Sequence, residues 1–307
     1  MIHTVTANPA LDITYKVQKI KFDDTTRATK VYRAAGGKGI NVSRVAARLN
    51  HPTIAMGFIG GRAGLEIEDL LESEGVRTWF CHHKDSTRTN TIIQDTSGRQ
   101  IRISGPGAKV KAKETQALMD SIFHLKAPDF LTLSGSILKG MPLDFYKQAF
   151  DHANADGIRV AVDADGDELY HAVEAGVHVI KPNQYELERL TGKSITTIDD
   201  ALLASKDIVK KGVQIVLSSL GARGALLVSE NEAWQAAPPK VKVDSAVGSG
   251  DSLLAGSLVA LAEGKSYAEA LQLGVACGTA TAMTPGTNLC YTKTIYEILP
   301  QIALEAL

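Results

Sequence analysis

Near the carboxyl end, Val247, Gly248, Ser249, Gly250, Asp251 and Ser252 run directly into an apolar helical segment that begins at Leu253, so a glycine turn opens a helix with a carboxylate at its mouth. Free backbone N–H groups and the positive end of the helix dipole gather there, which makes such a turn an anion site. An acid in that place can take a proton from an alcohol while the N–H groups hold the charge of a transferring phosphoryl group. Asp251 is the candidate base, and Gly248 and Gly250 form the candidate anion cradle. The same hexapeptide also obeys the rules of a plain capped helix, because Asp and Ser are favoured N-caps and Gly is favoured in the turn before them. It is not a Walker A loop, since no Lys-Ser/Thr pair follows the second glycine.

A second glycine loop, Ala35-Gly36-Gly37-Lys38-Gly39-Ile40-Asn41, opens another predicted helix. Its glycines let a ligand approach the backbone, and Asn41 adds an amide that both donates and accepts, a combination that suits a sugar. A dinucleotide loop would need its third glycine at position 42, which is Val. Arg27, Arg88 and Arg102 sit in β-like segments, where a guanidinium can grip a phosphate already on a substrate or simply face solvent; Lys38 adds a further charge. After an apolar strand, Asn183 and Glu186 have the spacing of a capping box, and the same two side chains can support water-coordinated Mg²⁺ against nucleotide phosphates. Asp163 and Asp165 close another strand, and Ser219 and Gly221 close a further one in a glycine turn suited to a nucleotide or to a bare β-turn. Ser136, in Ser134-Gly135-Ser136, and the Ser104-Gly105-Pro106-Gly107-Ala108 segment are strand-end turns of the same kind.

The elements that must position these groups follow from hydrophobic periodicity. Apolar runs at 53–59, 130–134, 159–162, 178–180 and 214–218 read as buried strands, and helical periods cover 41–49, 112–125, 144–153 and 198–211. Such alternation predicts an α/β fold, a mostly parallel sheet covered by helices on both faces. Two stretches, about 12–33 and 87–104, alternate polar and apolar residues with no helix between. They predict a small antiparallel sheet that stands off the main one and serves as a lid. The last third, from Asp251 on, reads as helical to the end, and the whole of 1–307 reads as a single domain with the lid inserted.

With 44% hydrophobic and 22% charged residues in 307, the chain can bury a large core, and a net charge of -1 offers no basic field to nucleic acid or to a membrane surface. Cys81, Cys277 and Cys290 follow no metal-binding or CxxC spacing, and neither a signal segment nor a membrane span is evident, so a cytoplasmic protein is expected.

In this order, from Thr6-Ala7-Asn8-Pro9-Ala10-Leu11-Asp12 to the final helices, the pieces resemble the ribokinase-like (PfkB) sugar kinases; the most specific marks are Gly36-Gly37-Lys38-Gly39-Ile40-Asn41 and Val247-Gly248-Ser249-Gly250-Asp251-Ser252. The resemblance implies a three-layer α/β/α sandwich with a β lid, ATP and Mg²⁺ as cofactors, and Asp251 as base with Gly248 and Gly250 as anion hole. It also implies nucleotide contacts at Asn183, Ser219, Gly221, Gly248, Ser249 and Gly250, with Glu186 holding Mg²⁺ through water. Asp12, Gly37, Asn41 and Arg88 fall where phosphosugar kinases of the family contact their acceptor, with Arg27, Lys38, Arg102 and Ser136 as the further candidates. That branch holds 6-phosphofructokinases, 1-phosphofructokinases and tagatose-6-phosphate kinases. Fructose 6-phosphate is the expected acceptor, and fructose 1-phosphate and tagatose 6-phosphate are the alternatives. Ser249 stands where the family motif usually has Ala, Lys38 where the minor 6-phosphofructokinase has Gly, and Thr25 where that enzyme has a basic residue. Some relatives use a monovalent cation such as K⁺, and exposed lid strands suit a homodimer. A catalytically silent sensor of phosphosugar or nucleotide is the alternative of another class.

Overall fold

The computed structural model describes residues 1–124 and 126–307. From the amino terminus the chain makes β1 (Ile2–Thr6), leaves the main layer for β2 (Ala10–Val17) and β3 (Ala28–Gly36), and returns through α1 (Lys38–Arg48). After β4 (Thr53–Ile59), α2 (Gly61–Ser73) and β5 (Arg77–His82), a second excursion makes β6 (Arg88–Asp95) and β7 (Gln100–Ser104). Alternation resumes with α3 (Ala112–His124), β8 (Phe130–Ser134), α4 (Phe145–Ala155), β9 (Arg159–Asp163), α5 (Gly166–Glu174) and β10 (Val179–Ile180). Then come α6 (Gln184–Thr191), α7 (Ile198–Val209), β11 (Ile215–Ser219), β12 (Ala225–Val228) and β13 (Ala233–Ala237). The chain finishes with α8 (Ser249–Ala262), α9 (Tyr267–Ala282), α10 (Thr292–Ile298) and β14 (Ala303–Ala306).

The main sheet has ten strands in the order β14-β13-β12-β11-β10-β9-β8-β1-β4-β5. It is parallel from β11 to β5 and antiparallel through β12, β13 and β14. Its central strands are apolar without alternation because helices cover both faces. One core packs α3, α4, α5 and α7 against the sheet, and the other packs α1, α8, α9 and α10 on the opposite side. The expected three layers are therefore present. Helix α8 is apolar all round and is buried from Asp251 to Leu261, so its first turn delivers a carboxylate into the interior.

The small sheet runs β3-β2-β6-β7. Its outer pairs are antiparallel as expected, whereas β2 and β6 pair in parallel. Both strands follow the carboxyl ends of strands that are parallel in the main sheet, β1 and β5. One face of this sheet packs Leu11, Ile13 and Ala35 on Ile67 and Leu71 of α2.

Two differences from expectation have a cause in the structure. Helix α1 starts at Lys38 rather than at 41, because Thr6 Oγ1 accepts a hydrogen bond from the Ile40 N–H at 2.9 Å and caps the helix from another strand. The chain ends as a strand instead of a helix: Pro300 sits in a 3₁₀ turn after α10, and the segment beyond it pairs with β13. The helix read over 112–125 is present to His124, and residue 125 lies outside the described residues. No helix among the described residues is long and apolar enough to cross a membrane.

Candidate active site

The glycine turn before α8 is not an ordinary cap. Gly248 stands at the N-cap in the left-handed region, φ 80°, and no side chain caps the helix; the Ser249 N–H donates to the Ala246 carbonyl at 3.3 Å, and the N–H groups of Gly250 and Asp251 stay open to an anion. Ser249 is the first helical residue; its Oγ is buried without a partner. Asp251 lies within the first turn of the helix rather than at its cap. Helix α6 shows the contrast. There Glu186 N–H donates to Asn183 Oδ1 at 3.0 Å and Asn183 N–H to Glu186 Oε2 at 2.7 Å, the complete capping box that the spacing predicts.

Asp251 is nearly buried, and its Oδ2 accepts from Asn41 Nδ2 at 2.7 Å, which joins the two glycine motifs. Burial pushes its carboxyl up to about 6, the neighbouring charge of Asp163 adds to the rise, and Asn41, Lys38 and Lys181 restrain it. Asp163, with 0% exposure, lies between two cations: Lys38 Nζ is 2.7 Å from its Oδ1 and Lys181 Nζ is 3.3 Å from its Oδ2. Burial opposes ionisation of Asp163, but Lys181 and Lys38 together hold it below the usual carboxylate range. Burial likewise opposes the charge on Lys38, and Asp163, Glu186 and Asp251 more than compensate, so its pKa stands above the ordinary value. A Cβ at Gly250 would stand 3.2 Å from Lys181 Nζ, so this ammonium, 4% exposed, lies against the anion cradle. Cradle amides, two ammonium groups and a carboxylate poised to accept a proton thus converge on one spot, the equipment of general-base phosphoryl transfer.

The small sheet supplies the opposite wall. Its register places Asp12, Arg88, Asn90 and Arg102 on one face. Asn90 donates to Asp12 Oδ1 at 2.8 Å, burial pushes the Asp12 carboxyl up, and Asn90, Arg44 and Arg88 oppose that. Arg88 donates to the Asn8 carbonyl at 3.2 Å and keeps its Nε without a partner, while Asn8 Nδ2 donates to Ser136 Oγ at 3.1 Å. Asn8 therefore links Arg88 to Ser136 across the cleft. Gly37 takes φ 125°, and a Cβ there would strike Thr6 Cγ2 at 2.6 Å, so only glycine turns the chain into α1. Arg102 shares the face but is exposed and bonded to Gln100 at 3.0 and 2.7 Å. Arg27 is exposed at the end of the sheet remote from Gly36, where Val17 pairs with Ala28, and is not brought to Asp12 or Arg88.

At the other end of the cleft, Asn183 bridges to Ser219, whose N–H donates to the Pro182 carbonyl at 2.9 Å, and Gly221 takes φ 60° with open space where a side chain would stand. Glu186 Oε1 lies 3.9 Å from Lys38 Nζ, so the oxygen not used in capping faces the cleft. No group of three His, Cys, Asp or Glu suited to hold a metal occurs among the described residues. A divalent cation here would take Glu186 through water and its remaining ligands from phosphate oxygens, which is the habit of Mg²⁺, and the residues fit it on those terms. Asn8, Asn90 and Lys181 were not singled out from the sequence as site residues, and Asp163 was read there only as one of two acids closing a strand. Asp163 and Lys181 stand at strand ends, where such sheets gather ligand groups, and that position was the available signal.

The model of the pfkB family of carbohydrate kinases matches residues 6–294. Over all of both chains, the sequence is 32% identical to 1-phosphofructokinase of Bacillus subtilis. It is also 32% identical to tagatose-6-phosphate kinase of Staphylococcus epidermidis, over 98% of each chain. The fold superposes on phosphofructokinase-2 of Escherichia coli in complex with substrates and products, with a TM-score of 0.93, 35% identity and 98% of both chains covered. Two further structures of that E. coli enzyme, each 34% identical over 98% of both chains, are a potassium complex with a TM-score of 0.92 and a tetrameric inhibited form with a TM-score of 0.91. The chain belongs to the pfkB family of carbohydrate kinases.

Proposed function

We propose that the protein transfers the γ-phosphoryl group of ATP to a primary hydroxyl of a ketohexose phosphate, with fructose 6-phosphate as the first acceptor to test and fructose 1-phosphate and tagatose 6-phosphate as the other two. The observation that carries the reading is Asp251, buried at the uncapped start of α8, bonded to Asn41 and flanked by Lys38 and Lys181 through Asp163. The acceptor oxygen bonds to the γ-phosphorus, its proton passes to Asp251, and the bond from phosphorus to the bridging oxygen breaks to release ADP. Amides at Gly248 and Gly250 hold the developing charge, with Ser249 between them and Lys181 beside them. Asn183, Ser219 and Gly221 line the nucleotide end. Mg²⁺, when bound, would neutralise phosphate charge, and Glu186 would hold it through water. Arg88, Asp12, Gly37, Lys38, Asn41 and Ser136 receive the acceptor. Arg102 reaches it only by leaving Gln100, and Arg27 from this chain does not reach it.

Release of ADP, followed by a coupled assay over the three phosphosugars, tests the reading. A clear preference in kcat/KM for one of them names the acceptor, and no turnover with any would favour a silent sensor. K⁺ is the monovalent ion to include, since the E. coli relative is described in complex with potassium. The face of the small sheet opposite Asp12 exposes Val31 at 50% and Ile103 at 57%, an apolar surface on which a second copy can dock. Three free cysteines suit the cytoplasm.

A further inference from the structure

Asn41 presents its NH₂ to Asp251, yet an amide is nearly symmetrical in shape, and what lies behind it decides which end faces the carboxylate. Behind it stands Arg44, one turn along α1 and 2% exposed, whose Nη1 donates to the Ala35 carbonyl at 3.1 Å and to Asn41 Oδ1 at 3.4 Å. The guanidinium is anchored from its far side by Glu74 at the end of α2: Arg44 Nε is 3.0 Å from both carboxylate oxygens, and Nη2 is 2.8 Å from Oε1. Arg48 shares that carboxylate at 2.9 Å and donates to the Cys290 carbonyl, also at 2.9 Å. A guanidinium has five donors and no acceptor. Asn41 can therefore meet Arg44 only with its oxygen, which turns its NH₂ to Asp251.

We propose that Arg44, anchored by Glu74, is a positioning residue for phosphoryl transfer that fixes the Asn41 amide with its donor end toward Asp251. The inference rests on Asp251 being the base. Without the guanidinium the amide is free to rotate and set its oxygen against the carboxylate, which favours the protonated acid and removes the base at a pH where it formerly acted. The other charged groups that face Asp251 are Lys38 on α1, Asp163 at the end of β9 and Lys181 after β10, and Arg44 contacts none of them. Those that face Arg44 are Glu74 on α2, Arg48 on α1 and Asp12 on β2, whose carboxyl the Arg44 charge helps to hold down.

The experiment compares pH profiles of kcat for the parent, Arg44→Met, Glu74→Gln, Asn41→Ala and the double variant Asn41→Ala/Arg44→Met. Loss of a hydrogen bond to an ionised acceptor moves the acidic limb of Arg44→Met upward by about one pH unit, with the KM for ATP little changed. Glu74→Gln weakens the anchor and lowers the melting temperature but leaves a guanidinium behind Asn41, so its limb stays in place. The double variant has the limb of Asn41→Ala alone. An unmoved limb in Arg44→Met, an additive shift in the double variant, or an equal shift in Glu74→Gln would each overturn the proposal. Arg44→Gln carries the same expectation if the Met variant does not accumulate. Asp251→Asn separates the two readings: near-parental turnover there removes the base assignment itself, whereas an inactive Asp251→Asn beside an unmoved Arg44→Met limb removes the relay alone.

Discussion

Replacing Asp251 by Asn should make the protein more stable as it disables it. In the fold this carboxyl is raised from 3.8 to about 6, chiefly by burial, so keeping it ionised in place costs about 3 kcal/mol relative to the unfolded chain. The sign follows from linkage. A carboxyl with a raised folded pKa contributes its full stability below the unfolded value of 3.8 and loses it as pH rises through about 6. At pH 7.5 the parent therefore bears nearly the whole cost, and at pH 5 about half of it. An amide has the shape of the carboxyl, carries no charge at any pH, and can still accept from Asn41 with its oxygen. With an unfolding entropy of about 2.1 cal/mol/K for each of 307 residues, 3 kcal/mol corresponds to about 5 °C. Thermal melts of both proteins from pH 5 to 8 should show Asp251→Asn about 5 °C more stable at pH 7.5, with the gap narrowing toward pH 5. Phosphoryl transfer at pH 7.5 should fall by a factor of about 10² to 10⁴. Equal or lower melting of the variant at pH 7.5 would refute the view of Asp251 as a buried, destabilised acid, and undiminished turnover would refute its role as base.

For the parent enzyme, kcat should fall on the acid side with an apparent pKa near 6, and Asp163→Asn should move that limb downward, because it removes a like charge and frees Lys38 and Lys181 to favour ionised Asp251; rate profiles between pH 5 and 8 decide it. Gly248→Ala forces a Cβ into φ 80° and within 2.6 Å of Leu289 Cδ2, so denaturant unfolding should show a loss of about 1–3 kcal/mol and turnover should drop further as the cradle shifts. Arg88→Ala should raise the KM for the phosphosugar far more than that for ATP; equal effects would show that Arg88 does not hold the acceptor's phosphate. Glu186→Gln should raise the Mg²⁺ concentration needed for half-maximal rate while leaving the phosphosugar KM in place, as read from a metal titration.

Features that depend on neighbours along the chain were legible in the sequence. The buried strands at 53–59 and 130–134 appear with those same bounds, because helices on both sides demand unbroken apolar runs. The glycine turn before Asp251 and the capping box of Asn183 and Glu186 were equally readable, since a helix start is decided within one turn. The terminal strand was missed because β14 has no strong pattern of its own and forms by pairing with β13. Arg27 and Arg88 looked alike as arginines in β-like segments, and the register of the small sheet alone separates the one beside Asp12 from the one at the far end.

By itself the sequence determined the α/β layering, the two glycine turns and the identity of the acid at the mouth of α8, all products of short-range sterics and hydrophobic period. Tertiary structure decided what that acid meets: Asn41 from one motif, Asp163 from the end of a strand far away, and Lys38 and Lys181 balanced across them. The reason is physical. A backbone turn is fixed by the dihedral preferences of its own residues, whereas the proton affinity of a carboxylate depends on burial and on charges that only the folded chain carries to within a few ångströms of it.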